Sequence, residues 1–589
     1  MQFRERLNSR WHAWLESLRL HLSRPDALLQ LAAMGLLSGI LAGSVIVLFR
    51  FMVEGFQDFM LPGSGAENYE ALPAWARVAL PVGGGLLLGI IFRLWSDGLY
   101  VLGIARVMER LAYHQGYLTL RGFFLQFCGA AVAIISGHSV GREGPHVYLG
   151  AAAASLFGQR LALPNNTIRT MVGCGAAAGI AASFNTPLAG VIFALEVLML
   201  EYTLASFMPI ILATVSATAI SNAALGTAPA FEVHTSQIGS LTELPVVIVV
   251  GLVTGTASAA FVRLLRLFAS HSQRIPIWWR TVLAGIIVGL LGWQVPEVLG
   301  IGYDTVQDAL NGHIALGLLL ILAITKVIAT SASVGLGVPG GMIGPALFIG
   351  ATLGSLTGIA ADQMVSGGLG SESGFYALLG MGGMMAAAMH APLAGLTAMM
   401  ELTYNPGIIM PGMLVVTVAS LTASELFRTE SLFITILKSS GLDYNTDPVL
   451  QALRRVGVGS IMSRSFKRLN HLVEQDKADE VLADQPEWLI LTHDRNPVAL
   501  MWAIEFARYL HETRESGQTG EEPIDLLEIP APHRFQIAGI QLEATLQQAL
   551  DRMRETGAEA LFVEKMTAPG INRVYGVLTR EMLESSYRY

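Results

Sequence analysis

Charged side chains are scarce through most of this sequence of 589 residues. The chain has 37 basic and 45 acidic residues, yet only 35 of these 82 lie among the 414 residues from 27 to 440. Because the chain is also 52% apolar, a disordered protein is excluded and an ordinary soluble globule fits poorly. The last 149 residues (441–589) carry 39 charges, which is typical of a soluble domain. The sequence therefore has a membrane-like region followed by a soluble-like tail.

Cysteine and surplus basic charge are also lacking. The two cysteines, Cys128 and Cys174, stand in apolar surroundings, which excludes a disulfide framework. No histidine and cysteine cluster has the spacing of a metal site, and no nucleophile is paired with a base, so we predict neither metal ligands nor catalytic residues. The net charge of −8 comes almost entirely from the tail, with 16 basic and 23 acidic residues. Nothing in this balance favours nucleic-acid binding.

Several stretches of the membrane-like region are long enough to cross a bilayer, which takes about 20 apolar residues. Residues 27–49, 244–262 and 404–424 are free of charge. Residues 327–361 and 373–400 are also uncharged, but glycine and proline interrupt them. Broken helices at membrane depth must be buried in protein or line a wet cavity, where their ends can bind an ion. The alternative is that these glycines only let helices pack closely.

The first 26 residues have a different character. They contain five arginines, and their apolar residues recur at helical spacing. This pattern predicts an amphipathic helix on the cytoplasmic face, by the positive-inside rule. Charge continues to residue 26, which argues against a cleaved signal peptide. We expect the tail to lie on the same face, so that both termini are cytoplasmic.

An internal repeat runs through the membrane-like region. GCGAAAGIAASFNTPLAGVIFALEV (173–197) matches GMGGMMAAAMHAPLAGLTAMMEL (380–402), and Glu196 and Glu401 take equivalent places in the two copies. Both carboxylates are predicted to accept hydrogen bonds from backbone or helix-end donors rather than to move ions. One such match could be a chance similarity between two segments.

A second match lies upstream, in the same order. GREGP (141–145) corresponds to GMIGP (341–345), and the offset of 200 residues is nearly that of the first match. Two ordered matches indicate a duplicated unit, with copies over about 27–225 and 240–438. Duplicated membrane units place their substrate site where the repeats meet, on discontinuous helices.

This pattern selects Glu143 as the candidate residue of the substrate site. It stands between two glycines after an apolar run, and a carboxylate at membrane depth is costly unless it faces a cavity. Pro145 can begin a helix, because the missing N–H of a proline does no harm in the first turn. We predict that Glu143 is held over a helix N-terminus, as a tethered anion in a site meant for a free one. The alternative is an ion pair with Arg142 at the membrane surface.

These motifs resemble those of the CLC family of chloride channels and proton/chloride antiporters. GREGP is similar to the family's filter motif, GVPGGMIGP (337–345) is similar to its second filter motif, and the tail resembles a pair of CBS modules. The resemblance covers residues 27–438 of the membrane region. It implies an all-α polytopic membrane protein of two inverted repeats with broken helices, plus a small α/β cytoplasmic domain over 441–589.

The resemblance also implies roles for particular residues. Glu143 matches the family's gating glutamate, which swings out to admit anions. The anion-binding backbone groups would be those of Gly141, Arg142, Gly144, Gly341, Met342 and Ile343. The implied partners are chloride and other small anions, the lipid bilayer and a second copy of the chain. The implied location is a bacterial-type inner membrane.

The sequence departs from the family at three positions. The family's first motif, Gly-Ser-Gly-Ile-Pro, aligns with VLGIA (101–105), which puts Leu102 in place of an anion-binding serine. The inner-gate tyrosine aligns with Phe433, so the predicted inner gate has no hydroxyl. The antiporters' internal proton-transfer glutamate aligns with Val197, and an apolar side chain cannot carry a proton.

These departures favour a chloride channel or a weakly proton-coupled anion transporter gated by Glu143. A proton/chloride antiporter is the alternative, since Glu143 itself is present. His138, five residues before Glu143, is a candidate replacement proton carrier, although such a histidine is more often a satisfied polar residue.

The tail raises an alternative of another class, a nucleotide-sensing regulatory membrane protein. Residues 543–580 have the helix, strand, turn and strand of a second CBS module, whereas the first module, beginning near Val458, is predicted to be poorly formed. CBS pairs that bind adenosine nucleotides often have an Asp three residues after a Thr. Here the residue three positions after Thr579 is Met582, which argues against such a ligand, and we predict no cofactor.

Overall fold

The structure is a computed structural model of the chain. It describes residues 16–24, 27–62, 67–96, 102–228, 230–231, 239–364, 370–404, 406–442, 448–494, 496–515, 523–568 and 571–585. Of the helix predicted over residues 1–26, residues 16–22 are helical, and residues 1–15, 25 and 26 lie outside the described ranges.

The chain forms two compact units. The membrane unit contains residues 31–160 and 168–444, and the tail unit contains residues 1–30, 161–167 and 445–589. The division near residue 444 lies close to the predicted boundary at 440. The sequence did not predict that the short segment 161–167 belongs to the tail unit.

Helices make up the membrane-like region. In chain order they are α1 (Leu28–Met60), α2 (Ala74–Trp95), α3 (Ile104–Tyr113), α4 (Leu120–Ile135), α5 (Glu143–Arg160), α6 (Asn165–Phe184), α7 (Pro187–Phe193), α8 (Leu204–Leu225), α9 (Leu244–Ser272), α10 (Ile277–Gln294), α11 (Tyr303–Leu310), α12 (Leu316–Gly335), α13 (Ile343–Met364), α14 (Ser373–Met389), α15 (Pro392–Thr403), α16 (Ile409–Leu421) and α17 (Leu432–Ser439). Within the described ranges, eight of the helical segments are long and apolar enough to cross a membrane.

The interrupted stretches of the sequence form broken helices, as predicted. Residues 327–361 are divided between α12 and α13, and residues 373–400 between α14 and α15. Helices α1 to α8 are followed by a second series, α9 to α16, in the same order of long and short helices. The short helices α3 and α11 each begin after a glycine with positive φ, +72° at Gly103 and +81° at Gly302, a conformation that favours glycine.

Close packing explains some of the glycines. A Cβ on Gly150 of α5 would lie 2.2 Å from the carbonyl oxygen of Gly175 on α6, and a Cβ on Gly350 of α13 would lie 2.4 Å from that of Gly380 on α14. The same contact thus occurs in each half. The packing and ion-site interpretations of the glycines therefore apply to different positions.

Helices and strands alternate in the tail unit. They are α18 (Pro448–Arg455), α19 (Val458–Ile461), β1 (Phe466–Asn470), β2 (Leu472–Val473), α20 (Ala478–Ala483), β3 (Trp488–His493), β4 (Asn496–Trp502), α21 (Ala503–Glu515), β5 (Ile524–Asp525), β6 (Phe535–Gln541), α22 (Leu546–Thr556), β7 (Ala560–Ala568), β8 (Ile571–Thr579) and α23 (Arg580–Ser585). Six strands form one sheet in the order β1-β3-β4-β6-β7-β8.

The sheet consists of two modules of the same design. In the first, β1 and β3 are parallel and β3 and β4 antiparallel; in the second, β6 and β7 are parallel and β7 and β8 antiparallel. The prediction of a poorly formed first module is therefore wrong. Its central strand β3 buries every residue from Trp488 to Thr492, and such a continuous apolar run is typical of a strand covered on both faces.

The N-terminal segment and residues 161–167 are held within the tail unit by polar contacts. Arg19 donates to the Leu161 carbonyl at 2.7 Å. The Asn165 side chain donates to Gln548 Oε1 of α22 at 2.8 Å. The Tyr575 hydroxyl donates to Glu16 at 2.6 Å, and burial together with the Glu16 carboxylate raises the pKa of Tyr575 to about 12.

Candidate functional site

The GREGP loop (141–145) and the GMIGP loop (341–345) pair with each other. The Gly141 amide donates to the Gly341 carbonyl at 2.8 Å, and the Gly341 amide donates to the Gly141 carbonyl at 2.6 Å, which makes an antiparallel bridge. A Cβ on Gly341 would lie 2.6 Å from the amide nitrogen of Gly144, so a larger residue would separate the loops. The bridge brings the starts of α5 and α13 together.

Glu143 lies at this junction. It is the first residue of α5 and is fully buried. Its Oε2 accepts a hydrogen bond from the Gly344 amide at 3.1 Å, and its Oε1 accepts a short hydrogen bond from the Tyr303 hydroxyl. A Cβ on Gly141 would lie 2.2 Å from Glu143 Oε2, so the carboxylate fills space that this glycine leaves.

The predicted position of Glu143 over a helix N-terminus is confirmed, but the helix is α13 of the other half rather than its own helix α5. Gly344 is the second residue of α13. Its amide therefore has no hydrogen-bond acceptor inside the helix, as is general for the first four N–H groups of a helix. Exposed amides and the helix dipole make such a position favourable for an anion. The carboxylate therefore occupies a site where a free anion could bind.

Arg142 makes its contacts elsewhere. Its Nη1 lies 3.2 Å from Glu54 Oε1, and Glu54 also pairs with Arg50 at 2.9 Å. The Arg142 guanidinium covers the Tyr303 ring, with 5.2 Å from Cζ to the ring centroid. Among the described residues, the hydrogen-bond donors to Glu143 are neutral groups, so the alternative of an ion pair between Arg142 and Glu143 is wrong.

A cavity of about 600 Å³ lies against both loops. Gly144, Gly341 and Met342, which are predicted anion contacts, line it together with Leu102 and Phe433, the two positions of the predicted inner gate. The structure thus brings residues from four separate parts of the sequence to the wall of one cavity. Further along its wall the cavity also has charged residues, namely Arg106, Glu109 and Arg280.

A sequence model described as "Voltage gated chloride channel" matches residues 84–424, more than half of the chain. The chain belongs to this family, the CLC family. It is accordingly an integral membrane protein of a family whose members are ion channels and transporters.

Curated CLC proteins of bacteria are similar to most of the membrane region. The chain is 34% identical over 359 residues to a putative chloride channel protein ClcB-like of Ralstonia nicotianae, covering 60% of this chain and 83% of that protein. It is 31% identical over 411 residues to the voltage-gated ClC-type chloride channel ClcB of Escherichia coli, covering 67% of this chain and 97% of that protein.

Three solved CLC structures share the fold. A slow cyanobacterial Cl−/H+ antiporter has a TM-score of 0.62 at 21% identity, covering 70% of this chain and 97% of its own. A CLC-type fluoride/proton antiporter has a TM-score of 0.58 at 23% identity, covering 69% of this chain and 98% of its own. A eukaryotic CLC transporter has a TM-score of 0.60 at 19% identity and covers 94% of this chain and 98% of its own, so this likeness extends into the tail.

The two positions of the predicted inner gate are apolar. Phe433 is 1% exposed, and its ring meets that of Phe193 edge to face at 6.2 Å between centroids. Leu102 is half-buried against a cluster that includes Phe92 and Ile277. Neither of these two side chains can donate a hydrogen bond, so at both positions the cavity wall is apolar.

Val197 lies beside a structural carboxylate. It is 5% exposed in the π-helical turn Ala194–Met199 that follows α7. Its neighbour Glu196 accepts hydrogen bonds from Leu393 N at 3.1 Å and Ala394 N at 2.7 Å, at the start of α15.

Glu401 makes the reciprocal contact. It accepts hydrogen bonds from Leu188 N at 2.9 Å and Ala189 N at 2.7 Å, at the start of α7. The predicted helix-end donors of Glu196 and Glu401 are confirmed, and each repeat caps a helix of the other.

His138 and Ile343 complete the predicted set. His138 is fully buried, and its Cδ2 lies 3.8 Å from where a Cβ on Gly84 of α2 would be, so the ring packs against α2. A proton-carrying role for His138 stays a prediction. Ile343 is 1% exposed at the start of α13, in the place that Glu143 takes at the start of α5.

Sequence analysis did not select Tyr303, the hydroxyl donor to Glu143. The internal repeat held a signal, because Tyr303 is the first residue of α11 just as Ile104 is the first residue of α3. Aligning these two short helices would have shown a hydroxyl in one repeat where the other has an apolar side chain.

Proposed function

We propose that the protein carries chloride and other small anions across the membrane, as a channel or a weakly proton-coupled transporter with Glu143 as its gate. The observation that carries this proposal is the buried Glu143 carboxylate on the Gly344 amide at the start of α13. A side-chain anion in that position is a competitor for a transported anion. We further propose that the protein works as a homodimer in a bacterial-type inner membrane, with both termini in the cytoplasm.

The anion contacts in this proposal are backbone amides of the GREGP and GMIGP loops. Amides are neutral dipoles, so they can replace the water around chloride without holding the ion too strongly for it to leave. Leu102 and Phe433 on the cavity wall supply no hydroxyl, and a neutral hydrogen bond contributes about 0.5–1.5 kcal/mol. At these two positions the path is therefore expected to bind anions weakly.

Protons enter the proposal through Glu143. Protonation removes the charge of the carboxylate and weakens its hold on the helix start, so anion flux rises as pH falls. Val197, in the apolar turn beside Glu196, cannot pass a proton onward, which favours weak coupling. Proton/chloride antiport is the second candidate, because Glu143 can itself carry a proton and two of the similar structures are those of proton-coupled antiporters.

The gate is tested by chloride efflux from liposomes that contain wild type, Glu143→Gln or Glu143→Ala, measured against pH. Wild-type flux is expected to rise toward acid, while Ala and Gln give high flux that no longer follows pH. Glu243→Ala is the matched control, because Glu243 accepts hydrogen bonds from a tyrosine hydroxyl and a glycine amide, Tyr376 at 2.7 Å and Gly370 at 3.0 Å. This control should keep the wild-type pH profile.

A folded Glu143→Ala protein with the wild-type pH profile would refute the gate. Recording proton uptake in the same liposomes separates the two candidates. Little uphill proton movement under a chloride gradient is expected, whereas a fixed chloride to proton ratio would establish antiport and direct attention to His138.

A further inference from the structure

The donor set around Glu143 contains a side chain that the family motifs do not include. Tyr303, at the start of α11, donates its hydroxyl to Glu143 Oε1 while the Gly344 amide donates to Oε2. A Cβ on Gly344 would lie 3.2 Å from Glu143 Oε2 and 3.4 Å from the Tyr303 hydroxyl oxygen. The carboxylate, the hydroxyl and the amide therefore converge on one small space at the start of α13.

Tyr303 is fixed in this position from several sides. Arg142 covers one face of its ring at 5.2 Å. The ring of Phe231 meets it edge to face at 5.4 Å between centroids, and that of Phe184 lies 6.1 Å away. Because these contacts involve the ring rather than the hydroxyl, they hold the donor in place whether or not Glu143 is present.

We infer that the Tyr303 hydroxyl is a ligand of the transported anion: it holds the Glu143 carboxylate in the closed site and binds a halide there when Glu143 leaves. This inference rests on the proposed gate function of Glu143. A hydrogen bond from a neutral donor to a charged acceptor is roughly twice as strong as one between neutral groups. A phenol hydroxyl beside a helix-start amide would thus give the anion one oriented side-chain donor in a site otherwise made of backbone.

Other charged groups near this site do not supply a direct donor. The Arg142 guanidinium is engaged by Glu54 at 3.2 Å. The titratable and charged groups that face Tyr303 and Arg142 from the neighbouring elements are Arg50 and Glu54 of α1, Glu67 of the segment after it and His146 of α5. Phenylalanine at position 303 would keep the ring contacts with Arg142, Phe231 and Phe184 and remove only the hydroxyl.

The anion role is tested by titrating chloride into the purified full-length protein, using calorimetry, with Glu143→Ala compared to the double variant Glu143→Ala/Tyr303→Phe. We expect the double variant to bind chloride about tenfold more weakly, the size typical of one hydrogen bond to a charged group. The matched control is Glu143→Ala/Tyr376→Phe, which removes another buried hydroxyl, the one that donates to Glu243 at 2.7 Å. It should bind chloride as Glu143→Ala does.

The closing role of the same hydroxyl is tested with Glu143 in place. In Tyr303→Phe the carboxylate loses one of its two donors, so less acid is needed to release it. We expect the midpoint of the pH profile of chloride flux to move up by about one pH unit. Tyr376→Phe should leave the midpoint unchanged.

The outcomes separate this inference from the proposed gate. If Glu143→Ala keeps the wild-type pH profile, the gate fails, and the chloride affinities in the Glu143→Ala background still decide whether Tyr303 binds the anion. If Glu143→Ala behaves as expected but the double variant binds chloride within twofold of it, the inference about Tyr303 is overturned alone. Thermal unfolding of each variant shows whether it is folded. If the double variant is misfolded, the pH profile of the single variant Tyr303→Phe decides whether the hydroxyl acts on the site.

Discussion

The two repeats meet at one bridge with similar backbones and different side chains. Gly141 and Gly341 exchange hydrogen bonds, and α5 and α13 begin two residues later in each copy. At the first helical position one repeat has Glu143 and the other has Ile343. The short helix earlier in each repeat begins with Ile104 (α3) in the repeat of Glu143 and with Tyr303 (α11) in the repeat of Ile343.

This difference separates what duplication provides from what the proposed gate requires. The backbone supplies two helix starts, each with amides that have no partner inside the helix, and thus two places suited to an anion. A carboxylate and a hydroxyl occur together at only one of them, at the start of α13. The start of α5, which the cavity reaches at Gly144, has Ile343 and Ile104 in the equivalent positions, so we expect it to be open at every pH.

The largest expected effect comes from making the two helix starts alike. In Ile343→Glu the new carboxylate is expected to reach the Gly144 amide as Glu143 reaches the Gly344 amide. Chloride flux at neutral pH should fall about tenfold or more, the size of a charge-assisted hydrogen bond, and should recover as pH falls on the cavity side. Ile343→Gln controls for size. If the Glu and Gln variants have equal flux at every pH, the two helix starts are not equivalent sites.

A second test concerns the contact that is the same in both repeats. Glu196→Ala and Glu401→Ala each leave two helix-start amides without acceptors. Each should lower the free energy of unfolding by about 2 kcal/mol, seen as similar falls in melting temperature, with the pH dependence of flux kept. Glu425→Ala, at an exposed carboxylate, is the control. A loss confined to one variant would show that the reciprocal caps differ in strength.

The smallest effect is expected at the cavity wall. Leu102→Ser would add a hydroxyl to the first repeat, which has none near the start of α5. A neutral hydrogen bond contributes about 0.5–1.5 kcal/mol, so we expect chloride to bind roughly twofold to tenfold more tightly. Leu102→Ala provides the same added space without the donor. Equal chloride affinities for Ser and Ala, measured by calorimetry, would mean that the cavity wall at this position does not contact the anion.

Local sequence was sufficient to select Glu143 as a carboxylate held at a helix start, because a carboxylate between two glycines in an apolar run is costly at membrane depth unless it faces a cavity. It did not predict which helix receives the carboxylate, since that depends on a bridge between loops 200 residues apart. Tyr303 was missed for the same reason: it stands 160 residues after Glu143, and nothing local distinguishes it from a packing aromatic. The first CBS-like module was misjudged because its helix α20 spans only six residues, too short for a periodic pattern.

The bridge between Gly141 and Gly341 has a consequence for how the protein is made. A ribosome adds about 5–20 residues per second, and 200 residues separate the two glycines, so the first loop precedes its partner by about 10–40 s. During that interval Glu143 has neither the Gly344 amide nor the Tyr303 hydroxyl available. The half-made chain must therefore keep a carboxylate in contact with water or with the insertion machinery. The proposed anion site comes into existence only when the second repeat enters the membrane.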